Sequence, residues 1–307
     1  MSHDRWLGGK DNCPVDEEPA RRMLAADETA VRGARANRRV THRAVRTAAE
    51  AGIRRFLDVG TGVPARPNPH QVAQGVAPGC RVVCADNDPI VPRHAEALLT
   101  GSAEGATDHV HADVRGPDTI LRPAGESLDP ARPVALSPVA LTHHLGDAVD
   151  GGDAHGLPKR CVGALAPGGF LVLSQVTADL NPEAVGRATA LSARYGTPFL
   201  PRPPAGSARF SDGPELLGPG VLPVTGGRPE PVDVAARAEG IEPVYAGGPQ
   251  ALTLGGGTRT RDPSGGTRTR DPGGETRTAT PAGKPVRRPR RGNPYGRRER
   301  VRSRARP

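Results

Sequence analysis

The chain of 307 residues carries a formal net charge of +9 at pH 7, and this charge is unevenly distributed. Residues 251–307 hold 16 of the 42 basic and four of the 33 acidic residues, a net charge of +12, so residues 1–250 carry a net charge of −3. A basic domain surface for nucleic acid is therefore not indicated. No segment approaches the roughly 18 consecutive apolar residues of a membrane span, and the N-terminus lacks an apolar signal region, so we expect a cytoplasmic protein.

Helical and strand patterns alternate along most of residues 50–200. In the first third of the chain they predict helices near 17–26, at 28–51 and at 69–77, and strands at 53–59 and 81–85. Further along they predict a helix at 89–99, strands at 108–112, 132–141 and 170–176, helices within 151–166 and at 182–195, and strands at 221–224 and 241–245. This alternation predicts an α/β fold with a doubly wound, mostly parallel sheet that binds its ligand at the carboxyl ends of the strands.

The composition changes after residue 248. The sequence Gly-Gly-Thr-Arg-Thr-Arg-Asp-Pro begins at Gly256 and again at Gly265, and an Arg-rich end follows. A segment with so few apolar residues and so much charge cannot offset the entropy of ordering its chain. We therefore predict one domain over residues 1–248 and a disordered, basic, low-complexity tail over residues 249–307, which could contact nucleic acid through its charge alone.

The most informative motif follows the first predicted strand. An acid near the end of that strand, Asp58, precedes the turn Gly60-Thr61-Gly62. Glycines at such a turn accept positive φ angles and let the backbone approach a ligand closely. The spacing of Gly60, Gly62 and Ala65 also satisfies the dinucleotide-binding fingerprint, so an NAD(P)-dependent oxidoreductase is an alternative.

Two features count against a dinucleotide. A pyrophosphate needs a helix N-terminus directly after the glycines, whereas the next helix is predicted to begin only at Pro69. The carboxylate of Asp58 would also repel a pyrophosphate. It suits a cationic ligand such as S-adenosylmethionine, which carries a sulfonium and an ammonium group and no phosphate.

Acidic residues end three consecutive predicted strands: Asp58, Asp86 and Asp113. A carboxylate at the end of the second strand can accept hydrogen bonds from both ribose hydroxyls, in NAD and in S-adenosylmethionine alike. At the end of the third strand, Asp113 could accept from an adenine amino group. Each acid alone is more often a loop or helix-capping residue, but the three together favour a binding site.

Several motifs together carry a family resemblance. They are Leu7-Gly8-Gly9-Lys10-Asp11-Asn12, Asn37-Arg38-Arg39, the segment from Gly52 to Gly62, His70-Gln71-Val72-Ala73-Gln74 and Asp86-Asn87-Asp88-Pro89. With these motifs the chain resembles an actinobacterial family of S-adenosylmethionine-dependent methyltransferases, most of whose members lack an assigned substrate. The resemblance extends from about Leu7 to Gly247.

The resemblance implies a class I methyltransferase fold with a seven-stranded sheet and S-adenosylmethionine as cofactor. It implies methyl transfer to an unknown, small-molecule acceptor. By resemblance, Asp58, Gly60 and Gly62 frame the methionine end of the cofactor, Asp86 takes the ribose and Asp113 the adenine. Thr61 and Asn87 are also expected to bind the cofactor. The segment Gly8, Gly9, Lys10, Asp11 and Asn12 would close over the cofactor or substrate.

One candidate for the chemistry itself is His143, which follows the fourth predicted strand and matches a histidine of the family. A neutral histidine could take a proton from a hydroxyl nucleophile, although a packed histidine is the simpler interpretation. The sequence shows no metal-binding set of residues. Because Ser137-Pro138 interrupts the fourth predicted strand, a degenerate cofactor-binding or regulatory protein without turnover is a further alternative.

Overall fold

The structure, a computed structural model, describes residues 14–26, 30–91, 101–146 and 154–211 and short pieces between 215 and 253. The chain divides into two compact units, Met1–Gly257 and Thr258–Pro307, and every described residue belongs to the first. The segment predicted to close over the cofactor, Gly8 to Asn12, lies outside the described residues. Residues 92–99 of the helix predicted at 89–99 and nearly all of the predicted tail also lie outside them.

The centre of the fold is a parallel sheet of five strands in the order β3-β2-β1-β4-β5. The strands are β1 Arg55–Val59, β2 Arg81–Asp86, β3 Ala106–His111, β4 Ala135–Ser137 and β5 Phe170–Leu171. Strand order reverses at β1, because the chain adds β2 and β3 on one side and β4 and β5 on the other. The predicted parallel, doubly wound α/β sheet is therefore confirmed, and the switch point between β1 and β4 is where such sheets bind ligands.

The described residues do not form the predicted seven-stranded sheet. The remaining strands form two antiparallel pairs: β6 Ser174–Val176 with β8 Tyr245–Gly247, and β7 Glu215–Leu216 with β9 Leu252–Thr253. Strand β9 lies in the range 249–307 that the composition assigns to the tail. The boundary of the domain thus stays a prediction, and the paired strand shows that ordered structure reaches at least Thr253.

Helices cover both faces of the sheet. They are α1 Pro14–Ala26, α2 Ala30–Glu50, α3 Pro69–Val76, α4 Pro117–Leu128, α5 Gly156–Gly163, α6 Pro182–Arg194 and α7 Pro204–Ala208. Side chains alternate across the sheet: Phe56 and Val82 pack under α2 and α3, while Leu57 and Val83 pack with Ile120 of α4 on the other face. Of the helices in the described part of the chain, none is long and apolar enough to cross a membrane.

The fourth and fifth strands are shorter than predicted. The predicted strand at 132–141 is reduced to Ala135–Ser137, because Pro133 and Pro138 on either side of it lack the N–H that a ladder requires. The predicted strand at 170–176 is divided in two. Its first part, Phe170–Leu171, pairs with β4, and its second, Ser174–Val176, pairs with Tyr245–Gly247 instead.

Helix α4 was not predicted from the sequence. It begins directly after Gly116 and contains Pro123, and both residues are typical of turns and helix ends. Burial of Ile120, Ala124 and Leu128 against the sheet outweighs the hydrogen bond that the proline cannot donate.

Candidate active site

The three predicted acids lie at one edge of the sheet. Asp58 is the fourth residue of β1, Asp86 is the last of β2, and Asp113 follows the end of β3 by two residues. These three strands are parallel neighbours, so their carboxyl ends meet at the same edge.

The turn after β1 depends on its two glycines. Gly60 and Gly62 have φ angles of +75° and +67°, in the left-handed region that favours glycine. A Cβ atom on Gly60 would lie 2.9 Å from Cδ1 of Leu141, so any side chain at this position would force the side chain of Leu141 to move. The Gly60 N–H donates to the carbonyl of Ala85 at 2.8 Å and thereby holds the turn against β2.

The carboxylate of Asp86 connects the turn to the end of β2. Its Oδ2 accepts from the N–H of Gly62 at 2.8 Å, and its Oδ1 accepts from the N–H of Asp88 at 2.9 Å. A carboxylate has about four acceptor positions, so two remain. Asp86 is also only half-buried, so a ligand can approach its side chain.

Asp113 differs from Asp86 because its carboxylate already accepts four hydrogen bonds within the protein. Its Oδ1 accepts from the backbone N–H and the Nε of Arg115, both at 2.9 Å, and its Oδ2 accepts from the Arg115 guanidinium and from Asn87 Nδ2 at 3.2 Å. Hydrogen bonding to Arg115 lowers the pKa of Asp113 to about 2. Because these four hydrogen bonds use its acceptor positions, Asp113 would have to release one of them to accept from an adenine amino group.

Asp58 is buried, with 6% of its surface exposed. Ser137 Oγ donates to its Oδ1 at 2.9 Å, and Thr61 Oγ1 donates to its Oδ2 at 3.3 Å. Burial raises the pKa of the Asp58 carboxyl above its ordinary value, while the hydrogen bond from Ser137 and the charge of Arg38 act in the opposite direction.

Sequence reasoning interpreted Ser137 only as an interruption of a strand and did not predict its contact with Asp58. The signal that could have found it is the sheet register, which places Ser137 directly beside Asp58. That register follows from the order of strands, which no local pattern in the sequence contains.

A second residue without a predicted role is Arg38 of α2. Its guanidinium donates to the carbonyls of Ala65 and Pro67 and to Oδ1 of Asn68. Burial lowers the pKa of Arg38, and the nearby carboxylate of Asp58 favours its charged form. Arg38 therefore fastens helix α2 to the segment between the glycine turn and α3.

His143 lies in a 3-10 turn, Thr142–His144, that follows β4. The residue is 2% exposed, and its ring packs edge-to-face on Phe199 with 5.4 Å between ring centroids, which is the environment of a packed histidine. The buried Arg202 donates to the carbonyls of Thr142 and Leu145 at 2.8 and 2.7 Å, and so holds both ends of the turn.

A family model described as S-adenosyl methyltransferase matches residues 2–250, which is most of the chain. The chain belongs to the S-adenosyl methyltransferase family. This confirms the resemblance drawn from the sequence motifs, and it identifies the protein as an S-adenosylmethionine-dependent methyltransferase with that molecule as its cofactor.

Two solved structures are similar to this methyltransferase over nearly their whole length. A DUF574 family protein from Streptomyces avermitilis is 38% identical in sequence, with a TM-score of 0.76, and the match covers 82% of this chain and 95% of that one. A putative methyltransferase from Thermobifida fusca is 33% identical, with a TM-score of 0.70, and the match covers 83% and 94%. No curated protein matches the chain.

The described residues of the methyltransferase fit its cofactor. The sheet edge offers two further acceptor positions on the half-buried Asp86, which suit a diol, a half-buried glycine turn, and a carboxylate at Asp58, which suits a cation. The helix after the turn begins at Pro69, with Asn68 before it, and not directly after Gly62. That spacing leaves no helix N-terminus at the glycines for a pyrophosphate, and the comparisons give no support to an oxidoreductase.

Proposed function

We propose that this methyltransferase acts on a small molecule, and that the carboxyl edge of β1, β2 and β3 binds the cofactor. S-adenosylmethionine supplies an activated methyl group on its sulfonium. The net charge of −3 over residues 1–250 supports a small acceptor over nucleic acid, since nucleic-acid-binding domains carry an excess of positive charge.

The observation that carries the proposed site is the pair of open acceptor positions on Asp86. Two further hydrogen bonds to one half-buried carboxylate match the two hydroxyls of a ribose. In this arrangement Asp58, Gly60, Thr61 and Gly62 border the methionine end, and Asn87 and Asp113 lie on the adenine side. The segment from Gly8 to Asn12 would close over the bound molecules.

The protein contributes to catalysis mainly by positioning the acceptor relative to the methyl group. A sulfonium needs little further activation, so alignment of the acceptor with the methyl group supplies much of the rate. His143 would accept the proton of a hydroxyl acceptor, with its turn held by Arg202. The side chain of Leu141, two residues before His143, fills the space where a Cβ on Gly60 would lie, so this turn is next to the glycine turn after β1.

The alternative of a cofactor-binding protein without turnover depended on Ser137-Pro138. In the structure Ser137 keeps its pairing with Asp58 in the sheet and donates a hydrogen bond to it. The interruption therefore leaves the carboxyl edge of β1 and β4 assembled, which supports an active enzyme.

Two measurements test the proposal. Calorimetric titration of the full chain should show binding of S-adenosylhomocysteine and none of NADH at the same concentration. Incubation with methyl-labelled S-adenosylmethionine and an extract of Streptomyces avermitilis, the source of one relative, should then label the small-molecule fraction. Label that appears only in nucleic acid or protein would contradict the small-molecule acceptor, and tighter binding of NADH would contradict the site.

A further inference from the structure

The contact between Ser137 and Asp58 joins two buried side chains on adjacent strands. Ser137 is 4% exposed and Asp58 is 6% exposed, and 2.9 Å separates Oγ from Oδ1. The two residues are register partners in β1 and β4, so the sheet itself sets their separation. Among the described residues, the other acceptor near the Ser137 hydroxyl is the carbonyl of Leu57, which lies at 3.5 Å, the limit of a hydrogen bond. The hydroxyl therefore serves the carboxylate and not the backbone.

A second hydroxyl near the Asp58 side chain comes from the glycine turn. Thr61 Oγ1 lies 3.1 Å from the backbone carbonyl oxygen of Asp58 and 3.3 Å from its Oδ2, so its single hydrogen is shared between the two acceptors. Ser137 is therefore the donor that holds the carboxylate, and it fixes the orientation of Oδ1. A carboxylate so fixed is ready to meet a cation in a defined place.

The groups around Asp58 act on its ionisation in opposite directions. Arg38 on α2 favours the ionised carboxylate, whereas burial and the neighbouring carboxylate of Asp86 on β2 disfavour it. Cys84, its other neighbour on β2, is a neutral thiol, because burial raises its pKa. The ionisation of Asp58 thus depends on its hydrogen bonds. Of the groups that lower its pKa against the effect of burial, the hydroxyl of Ser137 has the largest effect.

We propose that Ser137 is a positioning residue of the cofactor site, whose hydroxyl orients the Asp58 carboxylate and stabilises its negative charge for the cationic end of S-adenosylmethionine. The inference rests on the proposed placement of the cofactor and adds the residue that keeps Asp58 competent. A hydroxyl that donates to a carboxylate binds its ionised form more strongly than its neutral form. Loss of the hydroxyl should therefore raise the pKa of Asp58 and narrow the pH range in which the site attracts a cation.

The first test follows Asp58 itself in the ligand-free, full-length protein. Carboxyl carbons are labelled with carbon-13, and the Asp58 signal is assigned by its absence in Asp58→Asn. In Ser137→Ala the titration midpoint of this signal should rise by about one pH unit, which corresponds to a tenfold change in the ionisation equilibrium. Ser137→Thr keeps a hydroxyl and should stay near the wild-type midpoint, and Ser137→Cys, a weaker donor of similar size, should be intermediate and replaces the alanine variant if that one fails to fold.

The matched control is Ser174→Ala. Ser174 is a buried serine of β6 that accepts from the N–H of Ala140 and has no contact with Asp58. Ser174→Ala should lower the melting temperature, as the loss of a buried hydroxyl does, and it should leave the titration midpoint of Asp58 unchanged. A merely structural role of Ser137 would produce this same pattern in Ser137→Ala.

The second test measures the dissociation constant of S-adenosylhomocysteine against pH. In Ser137→Ala the affinity should begin to fall at a pH about one unit higher than in the wild type, in step with the midpoint. An unshifted midpoint, or a shifted midpoint with an unchanged binding profile, would overturn the role of Ser137 while the cofactor site stands. No binding by the wild-type chain at any pH would overturn the proposed site and this inference together.

Discussion

The backbone N–H of Gly62 donates a hydrogen bond to Oδ2 of Asp86, with 2.8 Å between the two atoms. This contact ties the glycine turn after β1 to the end of β2 and fixes the direction in which the Asp86 carboxylate points. The proposed cofactor site thus joins the ends of two neighbouring strands, and substitutions at either partner should affect binding in predictable ways.

Asp86→Ala should weaken the binding of S-adenosylhomocysteine by roughly 10- to 150-fold. The reason is the loss of charge-assisted hydrogen bonds to the ribose, which contribute about 1.5–3 kcal/mol. Calorimetric titration measures the effect directly. The internal control is Asp88→Ala, because Asp88 Oδ1 accepts from the N–H of Ile90, the contact of a helix N-cap. That variant should lose about 1 kcal/mol of stability and little affinity; unchanged affinity in both variants would remove Asp86 from the site.

Asp113→Asn should change cofactor affinity by less than about tenfold, since the acceptor positions of Asp113 are already used within the protein. Its effect should appear in the pH dependence of stability instead. The folded-state pKa of Asp113 is lowered to about 2, so its ion pair with Arg115 stabilises the fold above the ordinary aspartate pKa and is lost as pH falls through about 2.

The stability measurement compares the free energies of unfolding of the wild type and Asp113→Asn between pH 2 and pH 5. Since the carboxylate is about one-third exposed, the difference at pH 5 should be no more than about 1 kcal/mol, and it should shrink as the pH is lowered. A difference that grows on acidification would contradict the sign of this pKa shift. A loss of affinity as large as that of Asp86→Ala would place Asp113 on the ligand after all.

Gly60→Ala should destabilise the protein by about 2–4 kcal/mol, because it combines a positive φ angle with a clash against Leu141. Gly52→Ala is the matched control: its φ angle is also positive, at +97°, but a Cβ there meets nothing within 4 Å. It should cost only about 1 kcal/mol. Urea unfolding measures the loss of stability in both variants. Equal losses would show that the side chain of Leu141 moves away from the new Cβ without destabilising the protein.

His143→Ala should lower kcat by about 10²-fold or more once an acceptor is known, if its imidazole takes the proton of the acceptor. Affinity for S-adenosylhomocysteine should stay the same, because His143 is not among the strand ends that border the cofactor. The neighbouring His144, whose Nδ1 pairs with the carbonyl of Pro198, provides the control, and His144→Ala should retain most of the rate. An unchanged kcat in His143→Ala would leave this residue with a packing role only.

A chain ending at Gly257 should keep the melting temperature of the full chain, since the composition of the remainder predicts a tail that adds no core. A chain ending at Gly248 should melt a few degrees lower, because it lacks Leu252–Thr253 and so the partner strand of Glu215–Leu216. Differential scanning calorimetry on both truncations decides the domain boundary. A large loss on removal of residues 258–307 alone would show that the tail packs on the domain.

The sequence by itself determined the elements whose signals are local. A buried strand followed by Asp58 and the Gly60-Thr61-Gly62 turn, and a second strand followed by Asp86, can be recognised within a few residues each, because burial and turn chemistry act over short distances. These signals, with the alternation of helices and strands, predicted the parallel α/β sheet, whereas the family followed from a resemblance carried by several motifs together. They did not predict helix α4, since Gly116 and Pro123 are local signals of a turn or a helix end, and the stability of this helix comes from burial on the sheet.

Only the tertiary structure decided how the acids differ from one another. Asp58, Asp86 and Asp113 are equivalent in sequence, as acids at the ends of strands, yet Asp86 keeps two open acceptor positions, Asp113 is filled by Arg115 and Asn87, and Asp58 is buried beneath Ser137. The partner that matters most to Asp58 lies 79 residues away along the chain. Strand order brings the two together, and because hydrogen bonds act only over contact distance, the capacity of each carboxylate for a ligand depends on neighbours that only folding supplies.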